Sequence, residues 1–141
     1  SNIRINYEDL QNREGAKAIG GSIFEADLDI SHPLGFGFSD RKISVYKNNT
    51  TVLLPSKYPV STVAKYASKP LIGGYLHKLQ ESRIANNAAL LCAHEGAGRV
   101  VLFADNPNFR AVWYGTNRLF LNALFFGSLI SPPVQNFGGE E

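Results

Sequence analysis

Residues 96–127 read GAGRVVLFADNPNFRAVWYGTNRLFLNALFFG, and this stretch carries the strongest prediction of the fold. Its glycine-containing start separates two apolar runs, residues 88–93 and 100–104. Continuous apolar runs of this length are typical of strands buried on both faces. The link between the two runs is short, so we expect them to form a β-hairpin. Residues 115–126 then predict a helix, with Thr116 as its cap and Gly127 at its end.

The apolar side chains of this predicted helix cover nearly its whole circumference, namely Leu119, Phe120, Leu121, Leu124, Phe125 and Phe126. A helix that is apolar on all sides is usually buried. We therefore expect this helix to lie against the sheet or against another domain. Asn122 lies in its middle, and a buried amide there requires a hydrogen-bond partner.

A polar corner separates the second apolar run from the helix, at the position beyond a strand's carboxyl end where open α/β sheets bind ligands. Its candidate residues are Asp105, Asn106, Arg110, Trp113, Tyr114, Asn117 and Arg118. Because Tyr, Trp and Arg dominate interface hot spots, one interpretation is a binding surface or a vestigial pocket. The alternative is loop anchoring, in which Asp105 or Asn106 bonds backbone amides and Arg110 pairs with a nearby acid.

The rest of the chain predicts alternating short strands and helices. Residues 24–30 alternate between apolar and acidic side chains, the period of a half-buried strand. Further strands are predicted at 43–46, 51–54 and 63–66, and short helices at 7–17 and 76–84. The first two of these strands are expected to pair through a turn at Asn48-Asn49. We divide the chain into a lead-in (1–19), a domain (20–130) and a flexible tail (131–141).

Composition excludes several classes of function. The chain of 141 residues has 14 basic and 12 acidic side chains, a net charge of +2, and these charges form no basic stripe, so nucleic-acid binding is not predicted. No apolar run approaches the ~20 residues of a transmembrane helix. The sequence contains no methionine, so we expect the chain to be a domain of a longer protein.

Potential catalytic groups are few. Cys92 lies inside an apolar run and is expected to pack in the core. Asp27 and Asp29 project from one strand face about 7 Å apart, a separation that glycosidases use, but we interpret them as surface acids. His94-Glu95 begins the zinc-peptidase signature His-Glu-x-x-His, but Gly98 stands in place of the second histidine. A site that joins all three histidines stays open, although their spacing gives it no support.

The stretch 96–127 resembles a carboxyl-terminal segment of large bacterial proteins of the zinc-carboxypeptidase family. In those proteins a glutamine-amidotransferase-like domain follows the peptidase domain. Residues 21–40, GSIFEADLDISHPLGFGFSD, are similar to the strand and His-Pro-Leu turn that open that domain. The resemblance implies an α/β fold with a mixed sheet flanked by helices, like a reduced class I glutamine amidotransferase (flavodoxin-like), ending in a hairpin and a buried helix.

The family's catalytic residues do not carry over to this chain. Amidotransferases of this class use a cysteine at a strand-to-helix elbow and a His-x-Glu pair, but Asn106-Pro107-Asn108 stands where the histidine would be. An amide does not titrate near neutral pH and is no general base. The zinc ligands of the parent peptidase, His-x-x-Glu and a distant His, are not in these residues. We therefore expect no catalytic, cofactor-binding or metal-binding residues in this fragment.

The resemblance thus implies a non-catalytic accessory domain of a secreted or periplasmic zinc carboxypeptidase, a metallopeptidase that releases C-terminal amino acids from peptides. Zinc would belong to the parent's peptidase domain, which is the expected partner, and a homo-oligomer is also allowed. Two alternatives stay open. One is a divergent hydrolase that uses a serine or Asp105 with a histidine. The other is a small-ligand or glycan-binding module with Trp113 and Tyr114 as stacking platforms.

Overall fold

The computed structural model describes residues 6, 9, 16–111 and 113–131. They form a mixed α/β domain with strands β1 (Ser22–Leu28), β2 (Lys42–Lys47), β3 (Thr62–Gly73), β4 (Ala88–Glu95) and β5 (Gly98–Phe103), and helices α1 (Lys78–Ile84) and α2 (Tyr114–Phe126). The strands form one sheet in the order β2-β1-β3-β4-β5. The predicted helix at 7–17 falls largely outside the described residues, and the tail lies outside them from residue 132 onward.

All four strand pairings of the described sheet are antiparallel, so the prediction of a mixed sheet is wrong for this part of the chain. The resemblance to amidotransferases implied the mixed sheet. The separate expectation that the run 100–104 is a strand buried on both faces is also wrong. β5 is instead an edge strand, and its Val100 and Leu102 are exposed. Antiparallel sheets can leave one face in contact with water, so an apolar run in an edge strand does not indicate parallel neighbours.

The predicted hairpin and the alternation in β1 are confirmed. β4 pairs with β5 in an unbroken register that ends at Glu95↔Gly98. The turn begins at Gly96, whose φ of +57° lies in the left-handed region that glycine enters without a steric penalty. In β1 the side chains of Phe24, Ala26 and Leu28 are buried, but the strand ends at Leu28 and Ile30, predicted on the same face, is exposed.

The predicted strand at 51–54 does not form, and its only pairing among the described residues is the isolated bridge Leu53↔Ala88. The Asn49 side chain explains this difference. Its Oδ1 accepts a hydrogen bond of 2.9 Å from the backbone amide of Thr51, a local turn that competes with pairing to β2.

β3 extends well beyond the predicted 63–66 and curls the sheet. It pairs with β1 through Ala26↔Tyr66 and Phe24↔Leu71, so more residues of β3 than of β1 lie between these two pairs. Pro70 is buried within this irregular stretch. Proline cannot donate a hydrogen bond to a neighbouring strand and is therefore confined to edges and bulges, where strands bend.

The buried apolar side chains form one core, to which β1 to β4, both helices and the 3-10 turn Pro33–Gly35 contribute. Its members include Phe24, Ala26, Leu28, Leu34, Ile43, Val45, Val63, Tyr66, Ile84, Leu90, Cys92 and Leu119. The prediction that Cys92 packs in the core is confirmed. Burial raises the pKa of its thiol, although the Arg99 charge opposes this shift. A thiol held in the protonated form is a weak nucleophile.

α2 is buried along one stripe only, so the described part of the domain covers one side of the helix. Its buried residues are Thr116, Leu119 and Asn122. Asn122 has the predicted partners, because its Nδ2 donates to the carbonyl oxygens of Leu34 (2.7 Å) and Phe36 (2.9 Å). The helix therefore packs on the Pro33–Gly35 turn, while its other face points away from the sheet.

The ends of α2 also differ from the prediction. The helix begins at Tyr114, so Thr116 lies inside its first turn and does not cap it. The Thr116 hydroxyl instead donates a hydrogen bond of 2.9 Å to the carbonyl oxygen of Pro107. The helix ends at Phe126, as predicted, and Gly127 continues into a short 3-10 turn in right-handed helical geometry.

Candidate functional site

Asp105, the first residue of the polar corner, lies in a buried cluster with Lys47 and Tyr66. Lys47 Nζ is 2.8 Å from Asp105 Oδ1, and the exposed fractions of the two side chains are 0% and 4%. The Tyr66 hydroxyl donates to the other carboxylate oxygen of Asp105. The cluster therefore connects the end of β2, the middle of β3 and the residue that follows the β5 edge.

The hydrogen bonds of this cluster are complete. An ammonium group has three donors. Lys47 Nζ lies near three acceptors, which are Asp105 Oδ1, Asn49 Oδ1 at 3.1 Å and the carbonyl oxygen of Thr51 at 2.7 Å. Asn49 Nδ2 in turn donates to the carbonyl oxygen of Ala104 at 3.1 Å. The cluster thus fastens the segment after β2 to the polar corner and leaves the lysine no donor for a substrate.

Burial dominates the titration of this cluster. It raises the pKa of Asp105, although the Lys47 charge and the hydrogen bonds from Lys47, Tyr66 and Asn49 lower it. Burial and the Asp105 charge also raise the pKa of Tyr66 far above its ordinary value. Neither group resembles an accessible general base, so these contacts favour the loop-anchoring interpretation of Asp105.

Two other corner residues also bond backbone groups. Asn106 Oδ1 accepts from the amide of Asn108 at 2.9 Å, which holds the local turn. Trp113 is half-buried, and its Nε1 donates to the carbonyl oxygen of Ser44 in β2 at 3.3 Å. Asn117 is half-buried on α2.

The cationic residues of the corner and Tyr114 are exposed. Arg118 donates to the carbonyl oxygen of Gly37 and so fastens α2 to the loop that follows the Pro33–Gly35 turn. Arg110 was expected to pair with an acid. Its guanidinium instead lies 5.2 Å from the centre of the Phe109 ring, and no ion pair of Arg110 occurs within the described ranges. Arg110 and Tyr114 are the corner residues most open to a ligand or partner.

The three histidines bond backbone groups, in the pairs His32–Leu34 (3.1 Å), His77–Leu79 (3.3 Å) and His94–Ile130 (3.2 Å). The divergent hydrolase requires a histidine within hydrogen-bond reach of a nucleophile. Across the part of the chain that the structure describes, no histidine bonds Asp105 or a serine hydroxyl. His77 caps α1, whereas His32 and His94 line one cavity of about 270 Å³.

Asp27 and Asp29 line one surface pocket together, which Arg41 also borders. Asp27 is exposed, as predicted, and the hydrogen bond from Arg41 at 2.9 Å is the largest cause that lowers its pKa. Asp29 lies just beyond β1 and borders the cavity that His32 and His94 line. Sequence reasoning missed this cavity, because its residues lie far apart along the chain.

The described residues contain neither a metal-binding cluster nor a membrane-spanning helix. Within 16–111 and 113–131, no group of three or more His, Cys, Asp or Glu side chains is placed to hold a metal ion. No helix in those ranges is long and apolar enough to cross a membrane.

Comparisons of the chain with known protein families, with curated proteins and with solved structures find no significant match. The resemblance to zinc carboxypeptidases is therefore limited to residues 96–127 and 21–40 of the sequence.

Acidification is expected to destabilise the protein through His32. Burial lowers the pKa of His32 from its ordinary 6.5, with Asp29 opposing and His94 adding to the shift. The unfolded chain therefore takes up this proton at a higher pH than the folded chain. The free energy of unfolding should accordingly fall as the pH drops below about 6.5. Above that pH, His32 should not change it.

The matched variant His32→Asn keeps an acceptor for the amide of Leu34 and removes the titrating ring. Urea denaturation at pH 7 and pH 5.5 should show a smaller loss of stability in this variant than in the wild type. Equal losses in both proteins would show that His32 does not titrate in this way.

Proposed function

We propose that this chain is a non-catalytic interaction domain whose docking surface is the outer face of α2. We call this face, formed by Phe36, Leu121, Leu124 and Phe125, the α2 surface. All four residues are exposed, Leu124 at 66% and Phe125 at 73%. This exposure of large apolar side chains is the observation that carries the proposal.

The α2 surface is a group of neighbours and not a set of scattered residues. Leu124 and Phe125 lie three and four positions after Leu121, so each of them is its neighbour on the helix surface. Phe36 extends the surface, because its ring packs edge-to-face on Phe126 with the centroids 5.2 Å apart. Single exposed apolar side chains are common on proteins, but contiguous ones mark interaction sites.

Electrostatics favours an apolar partner for this surface. Residues 119–131 contain no charged side chain. A partner would therefore recover the free energy of burying apolar area, roughly 25 cal/mol per Å², without having to desolvate a charge. This composition is typical of the core of a permanent interface.

The contacts of the candidate nucleophiles support the non-catalytic part of the proposal. Cys92 is buried with a raised thiol pKa, and Asp105 lies in a closed cluster with Lys47. The described histidines bond backbone groups. Acyl transfer requires an activated nucleophile with an adjacent general base. These contacts favour neither role for the residues named.

The two motifs support a more specific proposal, in which the partner is the peptidase domain of a secreted or periplasmic bacterial zinc carboxypeptidase. Zinc and the release of C-terminal amino acids would then belong to that domain. The same motifs support a reduced amidotransferase-like fold. The antiparallel order of the described sheet counts against this fold assignment, since flavodoxin-like sheets are mostly parallel.

A peptidase assay tests the non-catalytic proposal. The chain, incubated with a mixture of unblocked peptides, is expected to release no C-terminal amino acid, with or without added zinc. Mass spectrometry of the peptides gives the readout. Zinc-dependent shortening that persists in a preparation free of contaminating peptidase would contradict the proposal.

A further inference from the structure

The outer edge of β5 carries a second inference, independent of the α2 surface. β5 is the last strand of the sheet and, in the part of the chain that the structure describes, pairs with β4 alone. An edge strand presents backbone N–H and C=O groups with which another strand can pair. We call this side of β5, away from β4, the β5 edge.

The hydrogen-bond pattern of the hairpin identifies the backbone groups of the β5 edge. The amide of Ala104 donates to the carbonyl oxygen of Ala89 at 3.0 Å, so these two residues form a hydrogen-bonded pair. Hydrogen-bonded and non-hydrogen-bonded pairs alternate along an antiparallel ladder. In the unbroken β4–β5 register, Phe103, Val101 and Arg99 therefore form non-hydrogen-bonded pairs, and their N–H and C=O groups point away from β4.

These outward groups have no partner among the described residues. Within 16–111 and 113–131, no hydrogen bond involves the backbone N–H or C=O of Arg99, Val101 or Phe103. An added strand in extended conformation presents its own N–H and C=O groups at the same spacing and would pair with all of them.

The opposite edge of the sheet is closed. β2 is the other edge strand, and Trp113 Nε1 donates to the carbonyl oxygen of its Ser44 at 3.3 Å. β2 also carries the exposed Lys42, and lysine on an edge strand hinders pairing with another chain. Residues 98–103 of β5 contain neither lysine nor proline, and their register has no bulge. The β5 edge thus lacks the features that usually prevent strand addition.

The side chains next to this edge are apolar on the face of the sheet away from the core. Val100 and Leu102 are 44% and 42% exposed, and they pair with Ala93 and Leu91 of β4. Residues 100–104 carry no charge. A strand added here would place alternate side chains beside Val100 and Leu102, and apolar ones would extend this surface.

Arg99 supplies the charge of β5. Its Nε donates to the carbonyl oxygen of Ile130 at 2.7 Å, and its Nη1 donates to the carbonyl oxygen of Ala97, so the guanidinium is held at the start of the strand. Among the described residues Arg99 forms no ion pair. Charge complementarity therefore favours an acidic side chain opposite Arg99.

We propose that the β5 edge binds an extended segment of a partner protein as an added antiparallel strand. From its amino end, the segment carries apolar side chains opposite Leu102 and Val100 and then an acidic side chain opposite Arg99. A helix bonds its own backbone groups, so it cannot pair with this edge. A second copy fits less well, because pairing of two β5 strands brings the 104–111 corner of each copy towards the 127–131 segment of the other.

Amide hydrogen exchange with a synthetic probe, acetyl-Ser-Thr-Val-Thr-Val-Glu-Ser-amide, tests the proposal. Without peptide, the amides of Arg99, Val101 and Phe103 should exchange fast, whereas those of Val100 and Leu102, which bond β4, should exchange slowly. The dissociation constant of the peptide is expected below about 1 mM. Peptide at about ten times this constant should slow exchange of the first three amides about tenfold.

N-methylated peptides separate strand addition from non-specific adhesion. The N–H of the central Thr, opposite Val101, points to β5, whereas that of either Val points away. N-methylation of this Thr should weaken binding at least about tenfold, and N-methylation of the first Val should change it little. Lys in place of the Glu should weaken binding at least about threefold, because it places two cations opposite each other.

Variants locate the binding on the protein. Val101→Pro removes one outward N–H and keeps the donors that bond β4, since proline is tolerated where the missing N–H faces solvent. It should bind the peptide at least about tenfold more weakly than the wild type. Leu124→Glu with Phe125→Glu, on the α2 surface, should bind it like the wild type, so failure of one proposal leaves the other standing.

Unchanged exchange of the three outward amides at about 5 mM peptide would overturn the inference. Equal affinity of the two N-methylated peptides, of the Lys peptide or of Val101→Pro would also contradict it. Slow exchange of these amides without peptide would show that another part of the chain covers the edge, or a second copy if it appears only at high protein concentration. The exchange and peptide measurements use the wild type, so they decide even where Val101→Pro does not fold.

Discussion

Asp105→Ala is expected to lower the free energy of unfolding by about 3–5 kcal/mol, because it leaves the ammonium of Lys47 buried without its counter-ion. The Lys47 side chain is 0% exposed, so water cannot replace the carboxylate. The Tyr66 hydroxyl loses its acceptor in the same step. Since small domains are stable by only about 5–15 kcal/mol, this variant should be close to unfolding. Urea denaturation at neutral pH measures the effect.

Two matched variants separate anchoring from a general effect of charge removal. The double variant Lys47→Met with Asp105→Leu removes both charges and should recover much of the lost stability. Asp27→Asn breaks the exposed pair with Arg41 and should change stability little. If Asp105→Ala were no more destabilising than Asp27→Asn, the buried cluster would not anchor the polar corner.

Leu124→Glu with Phe125→Glu is expected to weaken docking on the α2 surface at least about a hundredfold, because burial of a carboxylate against apolar side chains costs several kcal/mol. In a solution of the pure protein, the available partner is a second copy. The α2 surface of Leu121, Leu124, Phe125 and Phe36 carries no charge, so a two-fold axis can pair it with itself without repulsion. Reversible self-association of the wild type should therefore be lost in the double variant.

The stability of this double variant should stay close to that of the wild type, since both side chains are largely exposed. Leu54→Glu is the matched control for lower overall hydrophobicity. Leu54 is 75% exposed and lies outside the helices and strands. Leu54→Glu should therefore associate like the wild type. An equal loss of association in Leu54→Glu and in the double variant would point to non-specific adhesion.

Local features of the fold were predictable from sequence, whereas the direction of the strands was not. The turn at Gly96 and the end of α2 at Phe126 depend on neighbouring residues, and both were predicted correctly. Strand direction depends on pairings between distant segments, such as Ala26↔Tyr66. An apolar run like 100–104 has the same composition in a central strand and in an exposed edge strand, so composition misassigned β5.

One feature of the sequence points to the buried cluster. Ile43 and Val45 alternate along β2 and are buried, and Lys47 occupies the next position of the same face. A lysine on an inward face requires an acid, and Asp105 is the acid that follows β5. Which acid pairs with Lys47 could not be derived, because these residues are 58 positions apart.

The exposed face of α2 shows a further limit of sequence reasoning. A helix that is apolar on all sides is predicted to be buried. The pattern does not indicate whether the same domain or a partner buries it. The described residues cover Leu119 and leave Phe125 exposed. The prediction of a cover by another domain therefore stays open for this face.

Sedimentation velocity of the wild type and of Leu124→Glu with Phe125→Glu, over a concentration series from about 10 µM to 1 mM, tests the docking role of α2 most directly. The proposed role predicts a sedimentation coefficient that rises with concentration in the wild type and in Leu54→Glu, and stays constant in the double variant. The same rise in all three proteins would contradict the docking role of α2, and concentration-independent monomers in all three would contradict self-association through it.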